Sequence, residues 1–192
     1  MRHANLILII FMLLFLLGTG CSMGNKAASH AAAKVGNIVI TVNGVQSFKQ
    51  ERVDKMTDRQ ALDIIIERSL LFQEAQRQGI AMTLSEAKEY ARDQRNILEE
   101  NNSKETKKSI MDLTKRLNIT YNRYWSDYAP KGYMKAVSES RMKEKFMDEI
   151  LRGITEKYPS WGDKQIEDEA KTAYNKKISE LKKQYKVKYY IN

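Results

Sequence analysis

Gln60 to Gly79 reads QALDIIIERSLLFQEAQRQG, and this stretch decides the fold. Successive residues of an α-helix turn by about 100°. On that wheel Ala61, Leu62, Ile64, Ile65, Ile66, Leu70, Leu71, Phe72 and Ala75 cover most of the circumference. Asp63, Glu67 and Glu74 share the one narrow polar wedge that remains. A helix that is apolar nearly all round is buried on several sides, so the other segments must pack against it. Gly79 can take the left-handed position past the helix end, and Ile80 can supply the hydrophobic contact beyond. The expectation is a mainly α, multi-helix chain gathered around a central buried helix.

On the N-terminal side of this helix, Asn37 to Asn43 (NIVITVN) is a β-branched run that ends in the turn pair Asn43-Gly44. Ser47 with Gln50 makes a capping box that starts a short helix carrying Phe48 and Val53. On the C-terminal side, Thr83 with Glu86 makes a second box, opening a helix through Ala87, Tyr90, Ala91, Ile97 and Leu98. Lys107 to Leu117 forms a further amphipathic helix, and Asn118-Ile119-Thr120 caps the next. Pro130 predicts a break or a kink before a helix from Tyr133 to Leu151. Gly153 to Gly162, with Pro159, reads as a linker. Asp163 then caps a last helix whose face is Ile166, Ala170, Tyr174, Ile178 and Leu181. In Lys186 to Ile191 polar and apolar residues alternate as in a half-exposed strand. Its natural partner is Ile38 to Val42, giving a small two-stranded β element that joins the chain ends.

The first twenty residues read as a processing signal. Arg2 gives a positive start, Leu6 to Leu17 is an apolar run of twelve residues, and Gly18-Thr19-Gly20 precedes Cys21. Twelve apolar residues fall short of the ~20 that span a bilayer as a helix, and a small-residue exit marks a signal peptide. The junction resembles the lipobox of bacterial lipoproteins, although Gly18 stands where those proteins usually have Leu. That resemblance implies cleavage after residue 20 and acylation of Cys21, the only cysteine. A conventional signal peptide or an uncleaved anchor are the other readings of the same stretch. Residues 21–34 are small and polar and read as a flexible tether, leaving 35–192 as one helical domain.

The chain carries a formal net charge of +9. On an exported protein such a balance favours anionic lipid headgroups or anionic wall polymers. Nucleic acid is disfavoured by the export signal and by the lack of any recognition motif. Catalytic chemistry finds little support. One of the two histidines lies in the signal and the other, His30, in the expected tether, so neither an oriented imidazole for a hydrolase nor a multi-ligand zinc set is expected. Phosphate-binding glycine loops are absent. The carboxylates Asp63, Glu67 and Glu74 read as a solvated stripe, and Glu99-Glu100 and Glu167-Asp168-Glu169 as helix surface. No enzyme activity, cofactor or metal is expected.

One positive feature stands out. Tyr121, Tyr124, Trp125 and Tyr128 lie at i, i+3, i+4 and i+7, with Tyr133 close behind, so the first four form one helical stripe. Large apolar faces with polar tips suit either a helix seam or a groove that takes up apolar segments of other proteins. Met111, Met134, Met142 and Met147 in the same half fit both readings.

Val42-Asn43-Gly44, the entry SFKQE, ALDIIIERSLLFQEAQRQGI and the capped TLSEA together resemble the N-terminal domain of the SurA/PrsA class of extracytoplasmic chaperones. Ala61-Leu62, Leu70-Leu71, Glu74-Ala75 and Gly79-Ile80 carry the likeness, which covers roughly residues 35–97. No counterpart of the parvulin-type isomerase domain common in that class is expected here. The resemblance implies holding of unfolded or exported proteins and peptides without isomerase activity, by a lipoprotein on the extracytoplasmic face of the cell membrane. Tyr121, Tyr124, Trp125, Tyr128 and Tyr133 are then the candidate client-binding residues. The alternative is a dedicated interaction lipoprotein with one fixed envelope partner.

Overall fold

A computed structural model describes residues 30–50, 55–101 and 103–191. The signal segment, Cys21 and Val53 lie outside the described residues. The chain is mainly helical with one small antiparallel sheet. Its elements are β1 (Ala31–Val35), β2 (Ile38–Thr41), α1 (Val42–Gln50), α2 (Asp58–Arg77), α3 (Leu84–Glu100), α4 (Lys104–Leu117), α5 (Ala129–Lys157), α6 (Asp163–Gln184) and β3 (Lys188–Tyr189). The described chain divides into two compact units, residues 82–137 and residues 30–81 with 138–191, where one domain was expected. α5 begins in the first and continues into the second.

In the second unit α2 is the hub. Thr57 caps it by accepting from the Gln60 N–H, while the Gln60 side chain accepts from the Thr57 N–H, a complete capping box. At its other end Gly79 adopts φ +70°. The Gly79 N–H bonds the Gln76 carbonyl at 3.1 Å and the Ile80 N–H the Ala75 carbonyl at 3.0 Å, which is the Schellman pattern. Ala61, Leu62, Ile66, Leu70 and Ala75 are fully buried, as the apolar circumference requires. Around them pack Val45 and Phe48 of α1, Met142 and Phe146 of α5, Ile178 and Leu181 of α6, and Ala32, Ala33 and Val35 of β1.

The sheet corrects two expectations. Ala31–Val35 is not tether but the central strand, in the order β2-β1-β3. The terminal strand therefore pairs with β1 rather than with Ile38–Val42, through Ala33↔Tyr189 and Lys34↔Lys188. The β1–β2 hairpin turns on Gly36-Asn37, with Val35 opposite Ile38. Gly36 has φ +56°, as the first position of a two-residue hairpin loop demands. A Cβ there would also meet Gln73 Oε1 at 2.7 Å. Asn43-Gly44 is not a turn; it lies in the first turn of α1, where Thr41 Oγ1 accepts from the Gly44 N–H at 3.0 Å. A Thr one residue before the helix supplies the cap that Ser47 was expected to give.

The first unit packs α3, α4 and the start of α5 around the tyrosine-rich segment. Thr83 and Glu86 form the expected capping box of α3. Asn118 ends α4 in the left-handed conformation, φ 53°. Thr120 then caps a short turn, Tyr121–Arg123, that runs into a π-helical turn at Tyr124–Tyr128 and on into α5. Pro130 thus does not break the helix. It has no N–H to offer, and its ring crowds the carbonyl four residues back; the wider π turn just ahead of it takes up that conflict. Ala129 bonds the Tyr124 carbonyl, five residues earlier. Nor does Gly153 start a linker, since α5 passes through it to Lys157. Gly162, not Asp163, occupies the cap position of α6, and its N–H donates to Gln165 Oε1.

Candidate functional site

The tyrosine stripe is a packed seam. Tyr124, Trp125 and Tyr133 are buried at 0%, 5% and 2% exposure, and Tyr121 and Tyr128 are half-buried. Tyr133 meets Tyr90 of α3 edge-on at 4.9 Å, and Tyr124 meets Trp125 edge-on at 5.1 Å and stacks on Tyr128 at 5.8 Å. Ile110 and Leu113 of α4 and Ala91 and Leu98 of α3 complete the cluster. Helical spacing gathers the rings on one face, and the neighbouring helices fill the space before them. Tyr124, Trp125 and Tyr133 therefore line no open groove, which corrects the client-binding assignment. Burial raises the hydroxyl pKa values of Tyr124 and Tyr133 well above the usual phenol value. Tyr124 Oη and Trp125 Nε1 are buried with no hydrogen-bond partner among the described residues.

The polar wedge of α2 is also not a solvated stripe. Three tyrosines from the C-terminal part of the chain each donate to one of its carboxylates. Tyr174 Oη reaches Glu67 at 2.7 Å, Tyr185 Oη reaches Glu74 at 3.0 Å and Tyr189 Oη reaches Asp63 at 2.9 Å. Glu74 is almost fully buried and also receives Arg77 through two nitrogens and Gln78 through its amide. The Arg77 hydrogen bond, assisted by those of Gln78 and Tyr185, outweighs burial and holds the Glu74 carboxyl at about 2. Burial, with donation to Glu74, pushes Tyr185 up to about 12. Partial burial raises Asp63, but Tyr189 and the charges of Lys182 and Arg59 bring it net below the ordinary value. Arg68 and Glu139 add an ion pair at 2.7 Å that is mostly shielded from water. Each of these carboxylates has a fixed cationic or phenolic partner, an arrangement that fastens α6 and β3 to α2.

An open apolar surface lies elsewhere. A groove of about 620 Å³ lies between α5 and α6. Met147 and Leu151 of α5 and Ile166 and Ala170 of α6 line it, with Lys143, Asp163, Glu167, Asp168, Lys171 and Tyr174 around them. Leu151 is 37% exposed. At the turn between these helices, Tyr158 and Trp161 stack at 3.8 Å and are half-buried. Lys143 lies over the Tyr174 ring at 5.6 Å, which steadies one end of the groove. The pattern was present in the sequence as Met147–Leu151 and Ile166–Ala170–Tyr174, each at spacings of four. It is masked because the same helices bury a second apolar face, Met142, Phe146, Ile178 and Leu181, against α2.

Comparison with protein-family models, curated proteins and solved structures finds no match to this chain. Among the described residues no three His, Cys, Asp or Glu side chains gather as a metal site requires. His30 is exposed just before β1. No helix of the described residues is long and apolar enough to cross a membrane. The arrangement offers apolar contact with a charged rim, and hydrogen-bonded carboxylates already committed to partners.

Proposed function

We propose that this protein is a membrane-tethered, extracytoplasmic lipoprotein that holds apolar segments of exported proteins. The observation that carries the reading is the α5–α6 groove. Its floor is formed by flexible or small apolar side chains, and thioether and aliphatic groups adapt to varied partners. Its rim carries both signs of charge, which keeps the surface soluble while contact inside excludes water. The resemblance of residues 35–97 to the SurA/PrsA chaperone domain supports client holding, and the lipobox-like junction at Cys21 supports the tether. Holding by contact needs neither cofactor nor metal.

The test uses the chain from Ser22 onward with an aggregation-prone unfolded protein. Suppression of light scattering is expected, and Leu151→Asp, which places a charge in the groove, should abolish it while leaving the circular dichroism spectrum unchanged. No suppression by the unaltered chain, together with capture of a single envelope protein, would favour the fixed-partner reading instead.

A further inference from the structure

The face of the sheet turned away from α2 has no covering element among the described residues. Val187, Tyr189 and Ile191 pack inward on the core, so Lys188 and Tyr190 alternate outward, while Lys186, left-handed at φ 50° in the turn that ends α6, is exposed just before the strand. Lys34 stands directly opposite Lys188 on one side and Val39 on the other. Residues so opposed share a face of the sheet, with Cβ atoms about 5 Å apart. The resulting row is Val39, Lys34 and Lys188, with Tyr190 next to it. Val39 and Tyr190 are each 54% exposed, the most exposed large apolar side chains among the described residues.

Two physical features make this row unlike an ordinary solvated face. Like charges at directly opposed positions destabilise a sheet, yet neither Lys34 nor Lys188 has an acidic partner among the described residues. The charge continues past the sheet as well. From Lys176 to Lys188 there are six lysines and only Glu180 to offset them. Lys182 is engaged by Asp63, whereas Lys183 and Lys186 are exposed. An anion lying across the face would relieve the Lys34–Lys188 repulsion.

We propose that this face, Lys34, Val39, Lys188 and Tyr190, with Lys186 in the turn before it, lies on the surface of a bilayer containing anionic lipids. Lysine ammonium groups sit at the level of phosphates, Tyr190 places its ring and hydroxyl at the headgroup boundary, and Val39 enters the acyl margin. A soluble polyanion would neutralise the lysines but would leave Val39 and Tyr190 in water, which is why the bilayer is the occupant. The lipid-anchored reading adds continuity: Cys21 precedes Ala31 by ten residues, which reach at most about 35 Å when extended. One acyl signal plus a basic patch is a stable combination, where a single chain alone is marginal. This inference rests on the anchor only for that continuity, and not at all on client holding.

The test takes the full-length chain reconstituted with vesicles of phosphatidylcholine alone or mixed with phosphatidylglycerol. The rate of lysine acetylation is read at each position by mass spectrometry. Lys34, Lys186 and Lys188 should react several-fold more slowly with the anionic vesicles, and recover at high salt. Lys164 should be unchanged, since it stands at the far end of α6, about 33 Å away along the helix. The double variant Lys34→Gln, Lys188→Gln should restore the rate at Lys186. Equal rates in the two vesicles, or equal slowing of Lys164, would overturn the proposal. So would protection by free poly(glycerol phosphate) but not by anionic vesicles, which would give the face to a wall polymer. Flotation with phosphatidylcholine vesicles reports the anchor separately, so its failure is distinguishable from failure of the sheet face.

Discussion

Glu74→Gln isolates the buried clasp between α2 and the C-terminal segment. The carboxylate receives Arg77, Gln78 and Tyr185 and titrates at about 2, against an ordinary 4.5. At about 1.4 kcal/mol for each tenfold change in acidity, that depression corresponds to about 3 kcal/mol. Arg77 is 58% exposed, and water around it screens the pair, so a loss of about 2 kcal/mol is expected. The sign follows from linkage. A carboxylate with a lowered folded pKa contributes fully above its unfolded pKa, and the contribution is lost as pH falls toward the folded value. The gap between the parent and Glu74→Gln should therefore be about 2 kcal/mol at neutral pH and close between about pH 4.5 and 2. Other carboxylates with lowered values, such as Asp58 and Asp63, act in both proteins and cancel. Urea unfolding followed by Trp161 fluorescence, with Trp125→Phe present in both proteins, reports the unit that contains Glu74. A gap that stays constant across this pH range, or none at pH 7, would refute the reasoning.

Two further substitutions probe the two cores. Leu70→Ala removes a fully buried side chain at the centre of α2 and should cost about 2–5 kcal/mol in urea unfolding; a change near zero would contradict the hub role of that helix. Tyr124→Phe deletes a buried hydroxyl that has no partner among the described residues. Removing an unsatisfied polar group is neutral or stabilising by up to about 1 kcal/mol, so the thermal midpoint should hold or rise, and a clear fall would mean that the hydroxyl is bonded.

The N-terminal box of the central helix, Thr57 with Gln60, was passed over as an interruption. The helix itself was legible because burial on nearly all sides leaves a pattern that no other element produces, and because Gly79 acts locally at its end. The capping box of α3 was legible for the same reason. What the sequence obscured was non-local. The small residues Ala31-Ala32-Ala33 look like tether, yet they belong to the inner strand, where Ala32 and Ala33 are fully buried against the core of α2. The two-residue turn at Gly36-Asn37 was overshadowed by the stronger-looking Asn43-Gly44, which the Thr41 cap draws into a helix. Pro130 is a helix breaker in isolation, and the π turn just ahead of it lies within the aromatic cluster, a non-local setting that the local sequence does not display.

The candidate site shows the same division. Helical spacing placed Tyr121, Tyr124, Trp125 and Tyr128 on one face, but spacing does not say whether a neighbour covers that face. Ile110, Leu113 and Tyr90, from two other helices, cover it. The polar wedge of α2 likewise gave no sign of the tyrosines that reach it from more than a hundred residues away. In α5 and α6 a second apolar stripe was written beside the core-facing one, and only the fold separates them.

Hydrogen exchange with a bound apolar peptide tests the central functional claim most directly. If the protein holds clients in the α5–α6 groove, added protection should appear at Met147 to Leu151 and Ile166 to Tyr174, with none at Tyr121 to Tyr133. Protection confined to the tyrosine seam, with the groove amides unchanged, would contradict it.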